Sequence, residues 1–123
     1  MEQLASLFFH SRTQAHVFHL GQKGPGSYSR HIALSEYYDG IIDIIDGLVE
    51  SYQGRHGLIQ FKPVNGIDND CSMENVIKYF ENLCKVLDKL RKDSKLQDSY
   101  IQNQIDNIAQ LLYSTKYKLI NLQ

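Results

Sequence analysis

The chain has 123 residues, enough for one domain with a real core but small enough that assembly would help it. Its 42% hydrophobic and 22% charged content is that of an ordinary globular protein, which excludes a disordered or fibrous chain. Thirteen basic against fourteen acidic residues leave a net charge of -1, so bulk electrostatics do not recruit nucleic acid and none is expected as a partner.

The N-terminus lacks a basic stretch followed by an apolar run and a small-residue cleavage site, so no signal peptide is expected. No apolar run nears the roughly 20 residues of a membrane span. Cys71 and Cys84 make neither a disulfide framework nor a CxxC pair. They read as reduced thiols of a cytoplasmic protein, with Cys84 in the core.

In chain order, residues 2–20 place Leu4, Leu7, Phe8, Ala15 and Phe18 at helical spacing. The segment 21–26, with three glycines and a proline, then breaks any helix. Ser27 or Ser29 is expected to cap a second helix over about 29–53, with an apolar stripe of Leu34, Tyr38, Ile41, Ile45, Leu48, Val49 and Tyr52. Gly40 and Gly47 lie inside that helix at about 1 kcal/mol each relative to alanine, and close helix approach is the expected compensation.

Residues 54–71 hold Gly54, Gly57, Pro63 and Gly66 and predict a long ordered loop, with an extended piece at Leu58–Phe61. Ser72 is expected to cap a third helix over about 73–92 that turns Val76, Ile77, Phe80, Leu83, Cys84, Leu87 and Leu90 inward. A polar link, Asp93-Ser94-Lys95, leads to a fourth over about 96–121, with Ile101, Ile105, Ile108, Leu112, Leu119 and Ile120 inside. The expectation is all-α: one domain over 1–123, a ferritin-like four-helix bundle with a long connection between helices 2 and 3.

The chemistry is concentrated near the front. Four of the five histidines lie within His10–His31. On a helical wheel Asp39, Asp43, Asp46 and Glu50 form one stripe beside the apolar face of the second helix. Carboxylates at i, i+4 repel by a few tenths of a kcal/mol. Solvent, a basic neighbour or a bound cation compensates, and an ordinary solvated helix edge accounts for such a stripe about as well as a metal does. The spacing of Asp46 and Glu50 lets two carboxylates address one ion. With His19 and His31 they make a nitrogen–oxygen donor set of the kind that holds non-haem iron, zinc or another divalent ion. His16, Glu36 and Asp39 are secondary candidates. No nucleophile or base stands out beyond these ligands. Helices 3 and 4 carry no ExxH pair, so one bundle supplies donors only from its first two helices.

The stretch Ala15–Gly57, with His19, the turn Lys23-Gly24-Pro25, His31, Asp46 and Glu50, resembles the ferroxidase segment of Dps-type mini-ferritins. It is also similar to a group of small bacteriophage proteins sharing an HxxHL and ALxEYYDxI pattern. The resemblance covers about a third of the chain. It implies a ferritin-like bundle in which ferrous iron is oxidised at a site shared across a two-fold interface. The histidines would come from one subunit and Asp46 with Glu50 from its partner, so at least a homodimer is implied, in a bacterial or phage-infected cytoplasm or in a virion. Three departures qualify it. Ser35 stands where the family often has an aspartate, the loop 54–71 replaces the family's short interface helix, and neither terminus is rich in lysine. A non-enzymatic structural or interaction protein that keeps the bundle without storing iron is the competing expectation.

Overall fold

A computed structural model describes residues 1–64 and 66–122. Four helices account for most of them: α1 (Glu2–Leu20), α2 (Ser27–His56), α3 (Met73–Leu90) and α4 (Ser99–Asn121), with a 3-10 turn at Ser94–Leu96. No strand occurs among the described residues, and the segment at Leu58–Phe61 is irregular.

The helix starts depart from expectation. Neither Ser27 nor Ser29 accepts a capping bond for α2; Gly26 occupies the N-cap position at φ 76°, a conformation that favours glycine. The Ser29 hydroxyl instead donates back to the Gly26 carbonyl. Ser72 caps α3 as expected, its Oγ accepting from the Asn75 N–H. Asp93 caps the 3-10 turn through the Lys95 N–H.

Neighbouring helices run antiparallel in a ring, α1 beside α2, α2 beside α4, α4 beside α3, and α3 closing on α1. Ring contacts and ion pairs fix the directions. Ser11 meets Tyr37 and His19 meets His31, Glu36 meets Lys118 and Arg55 meets Asp98, and Glu81 meets Lys116. The centre holds Leu4, Phe8, Phe18, Leu34, Tyr37, Ile41, Ile45, Leu48, Phe80, Leu87, Ile105 and Leu112, all essentially inaccessible. At about 1.5–3 kcal/mol per buried side chain, this shared apolar surface is what holds four separate amphipathic helices together.

Four side chains sit differently from the wheel. Tyr37, rather than Tyr38, points to the core, because its hydroxyl finds Ser11 of α1 at 2.6 Å. Ile120 is exposed, and Thr115 is buried one turn before Leu119. Of the three α2 glycines, Gly40 lies against Leu111 of α4, where an added Cβ would be in ordinary contact, while Gly47 and Gly54, the latter expected in the loop, face open space.

The described parts of the crossover, 57–64 and 66–72, lie along α1 from its N-terminal to its C-terminal end. They are held by a ladder of α1 polar side chains to crossover backbone: Ser6 Oγ accepts from the Lys62 N–H, and His10 Nε2 donates to the Gly66 carbonyl. Gln14 accepts from the Asp68 N–H and donates to the Asp68 carbonyl. These rungs at i, i+4 and i+8 share one helix face and give those four backbone groups partners without a sheet.

Candidate metal centre

The turn after α1 brings the two histidines together. Glycine at 21 admits Cys71, since a Cβ there would stand 2.3 Å from its Sγ. Arg30 holds the turn from inside, donating to the Gln22 side chain and to the Pro25 and Lys23 carbonyls. Gln22 in turn donates to the Phe18 and Cys71 carbonyls, tying the end of α1 to the crossover.

On this frame the rings of His19 and His31 stack with centroids 3.5 Å apart and planes 20° apart. Each Nδ1 lies on the other residue's main-chain carbonyl, at 2.6 Å for His19 and 2.9 Å for His31. A carbonyl oxygen only accepts, so both Nδ1 atoms carry the proton. In the neutral rings Nε2 then holds the free lone pair, and neither Nε2 has a hydrogen-bond partner among the described residues. A carbonyl on the far nitrogen is also how metal-binding histidines are usually oriented.

His16, one turn before His19, is exposed. Its ring stacks on Tyr38 at 4.3 Å, and Tyr38 meets the edge of His19 at 5.3 Å. The four rings make a continuous aromatic seam between α1 and α2. Helical periodicity puts Tyr38 in the core stripe and so hides this seam, whose one signal in the sequence is aromatic residues on either side of a glycine turn.

The carboxylates lie elsewhere. Asp46 and Glu50 are on the same helix as His31, about 22 and 28 Å along its axis at 1.5 Å per residue. Both are exposed, and neither has an ion pair or side-chain hydrogen bond among the described residues. Asp39 and Asp43 are exposed in the same way. Glu36 is turned toward α4 and paired with Lys118 at 2.5 Å, and Ser35 donates to the Ile32 carbonyl of its own helix. Among the described residues, no three histidine, cysteine, aspartate or glutamate side chains are placed to hold one ion. The structure therefore joins His19 with His31, with His16 close by, and leaves Asp46 and Glu50 apart from them.

Neither thiol belongs to this centre. Burial raises the Cys71 thiol, with Asp68 and Asp70 adding to the effect, while its Sγ contacts the Val17 carbonyl. Burial also raises Cys84. Asp68 is held below the usual carboxylate range, chiefly by the Asn75 amide and then by the Asp70 N–H.

Helical bundle and paired imidazoles together define an all-α protein with a two-nitrogen node at one end. Residues 24–119 match the family of unknown function DUF5856, and the chain belongs to that family. The match takes in the second half of the turn from Gly24, His31, both carboxylates and most of α4, but begins after His19 and Lys23. No curated protein and no solved structure matches the chain. No helix of the described residues is long and apolar enough to cross a membrane.

Proposed function

We propose that the protein binds iron at a site shared by two copies, as a ferritin-like mini-ferritin with ferroxidase-type chemistry. His19 and His31 of one copy would act with Asp46 and Glu50 of the other. The observation that carries this reading is the pair of Nδ1-protonated imidazoles with unengaged Nε2 atoms. His31 shares α2 with two carboxylates, unpaired among the described residues, that cannot reach either imidazole within one chain.

The single long crossover supports the ferritin-like class, since that bundle has one such connection. The exposed apolar Leu20 (72%) and Ile32 (37%) flank the two histidines and give a partner a surface to cover. Ferrous iron is the substrate: neutral imidazoles suit the ferrous ion and carboxylates favour the ferric product. Two ferrous ions supply the two electrons that reduce one peroxide to water, with two protons taken up. Zinc or another divalent ion would occupy the same donors.

The reading predicts subunit complementation. His31→Ala and Glu50→Ala variants, each purified alone, bind no iron in an anaerobic ferrous titration. Mixed and reassembled, they regain one intact site per heterodimer and oxidise it on adding peroxide. Parent protein that binds neither iron nor zinc would sink the proposal. So would a His31→Ala variant that oxidises iron at the parental rate.

A second reading, a bundle that serves only for interaction, is favoured by one feature. The reciprocal bonds of His19 and His31 already staple α1 to α2 without any ion. A metal-free parent would select it.

A further inference from the structure

The turn and the start of α3 enclose a cleft of about 440 Å³, lined by Lys23, Arg30, Asn69, Asp70, Cys71 and Ser72. Arg30 is only 6% exposed. Its Nε, Nη1 and Nη2 donate to Gln22 Oε1, the Pro25 carbonyl and the Lys23 carbonyl at 2.7, 3.2 and 3.3 Å. A guanidinium has five N–H donors, so two have no acceptor among the described residues. All three partners are neutral, and among the described residues no carboxylate lies within ion-pairing distance. A buried charge facing only neutral acceptors calls for an anion.

We propose that this cleft binds a small protonated oxyanion of the phosphate class. One spare N–H remains on each of Arg30 Nη1 and Nη2, two charged donors for the oxygens of one phosphate. Lys23, exposed on the turn and in no ion pair among the described residues, adds a mobile ammonium. The Ser72 hydroxyl accepts from the Asn75 N–H, which leaves its own proton to donate.

Asp70 sets the selectivity. Its Oδ1 accepts the Ser72 N–H at 3.1 Å, and its Oδ2 has no partner among the described residues. A carboxylate here repels a fully deprotonated anion but accepts a hydrogen bond from a P–OH. Near neutral pH inorganic phosphate carries such a proton and sulfate does not, so the cleft takes phosphate and refuses sulfate.

Titrating the intact protein with inorganic phosphate, followed by ³¹P line broadening and by thermal unfolding, tests this against sulfate at matched ionic strength. The expected result is saturable broadening and a raised unfolding temperature with phosphate alone. Lys23→Ala, an exposed substitution, weakens phosphate about tenfold or more, the equivalent of one charged hydrogen bond. Asp70→Asn, which keeps the acceptor for the Ser72 N–H, admits sulfate. Equal responses to the two anions in the parent, no response to phosphate, or a Lys23→Ala variant with parental affinity would each overturn the proposal. An Asp70→Asn variant that still refuses sulfate would overturn the role given to Asp70.

Discussion

Between α1 and α2 the contact is made by rings and by hydrogen bonds, Ser11 to Tyr37, His16 to Tyr38 and His19 to His31, with the crossover's backbone laid along the outside. Between α3 and α4 it is made by aliphatic side chains, with charged pairs such as Glu81–Lys116 and Arg91–Asp106 at the rim. The first hairpin therefore fixes atoms in place, as directional bonds do, and the second supplies burial, which has no direction. All the chemistry lies on the first. A site needs groups held in position, and the aliphatic pair pays for that positioning with stability.

Substitutions break this contrast in order of size. Ile45 of α2 belongs to the burial both hairpins share, at 1% exposure. Ile45→Asp would bury an unpaired charge and abolish folding, a loss of about 4 kcal/mol or more in chemical denaturation. A folded, equally stable variant would show that the core is placed wrongly.

Gly21→Ala tests the positional hairpin. Its Cβ would stand 2.3 Å from Cys71 Sγ and 2.8 Å from Cys71 Cβ, so the crossover must shift. The expected cost is about 1–3 kcal/mol, as for an overpacked site. Adding Cys71→Ala removes the nearer clash and recovers part of it in a double-mutant cycle. A neutral single variant would mean that the crossover is not tied to the turn.

Alkaline pH acts on the same hairpin through Tyr37 and on α3 through Tyr79, which packs against Phe18 of α1. Burial pushes the Tyr37 phenol well above its ordinary range, Ser11 opposing only in part, and burial does the same to Tyr79. In the unfolded chain both ionise near pH 10, while the folded protein keeps their protons. The stability they contribute is intact below about pH 10 and falls as the pH rises further, by up to about 1.4 kcal/mol per pH unit for each phenol. Tyr37→Phe and Tyr79→Phe should flatten that alkaline limb of a denaturation series.

The smallest effect is the sharpest for function. Glu50→Gln relieves repulsion in an exposed stripe and should change metal-free stability by less than about 0.5 kcal/mol. The same variant should lose iron binding. A large stability change would mean that the carboxylate has a structural partner.

The second hairpin was the legible one. In α3 the apolar residues Val76, Phe80, Leu83, Cys84 and Leu87 are buried as their spacing requires, because burial is the signal that periodicity carries. The first hairpin was read less well. The α1 face that receives the crossover is Ser6, His10 and Gln14, whose bonds go to backbone and so leave no apolar pattern. Tyr37 and Tyr38 are adjacent, and only the position of Ser11 decides which one turns inward. Gly26 displaced two plausible serine caps because a left-handed backbone at the turn outweighed a side-chain acceptor. Of the candidate site, the pairing of His19 with His31 was legible from the glycine turn that folds them together. The burial of Arg30 beside them was not, since its partners are carbonyls of a turn with no sequence signature.

The crossover ladder also bears on how the chain folds. Its rungs join residues 56, 56, 54 and 54 positions apart, from Ser6–Lys62 through His10–Gly66 and Gln14–Asp68 to Val17–Cys71. A nearly constant separation means that closing one rung sets the register of the others, so the strap forms as a zipper after one costly loop closure. Helical bundles ordinarily fold fast through local contacts. In this chain that single long-range closure becomes the slow event, and the α1–α2 hairpin with its stacked histidines can form before it.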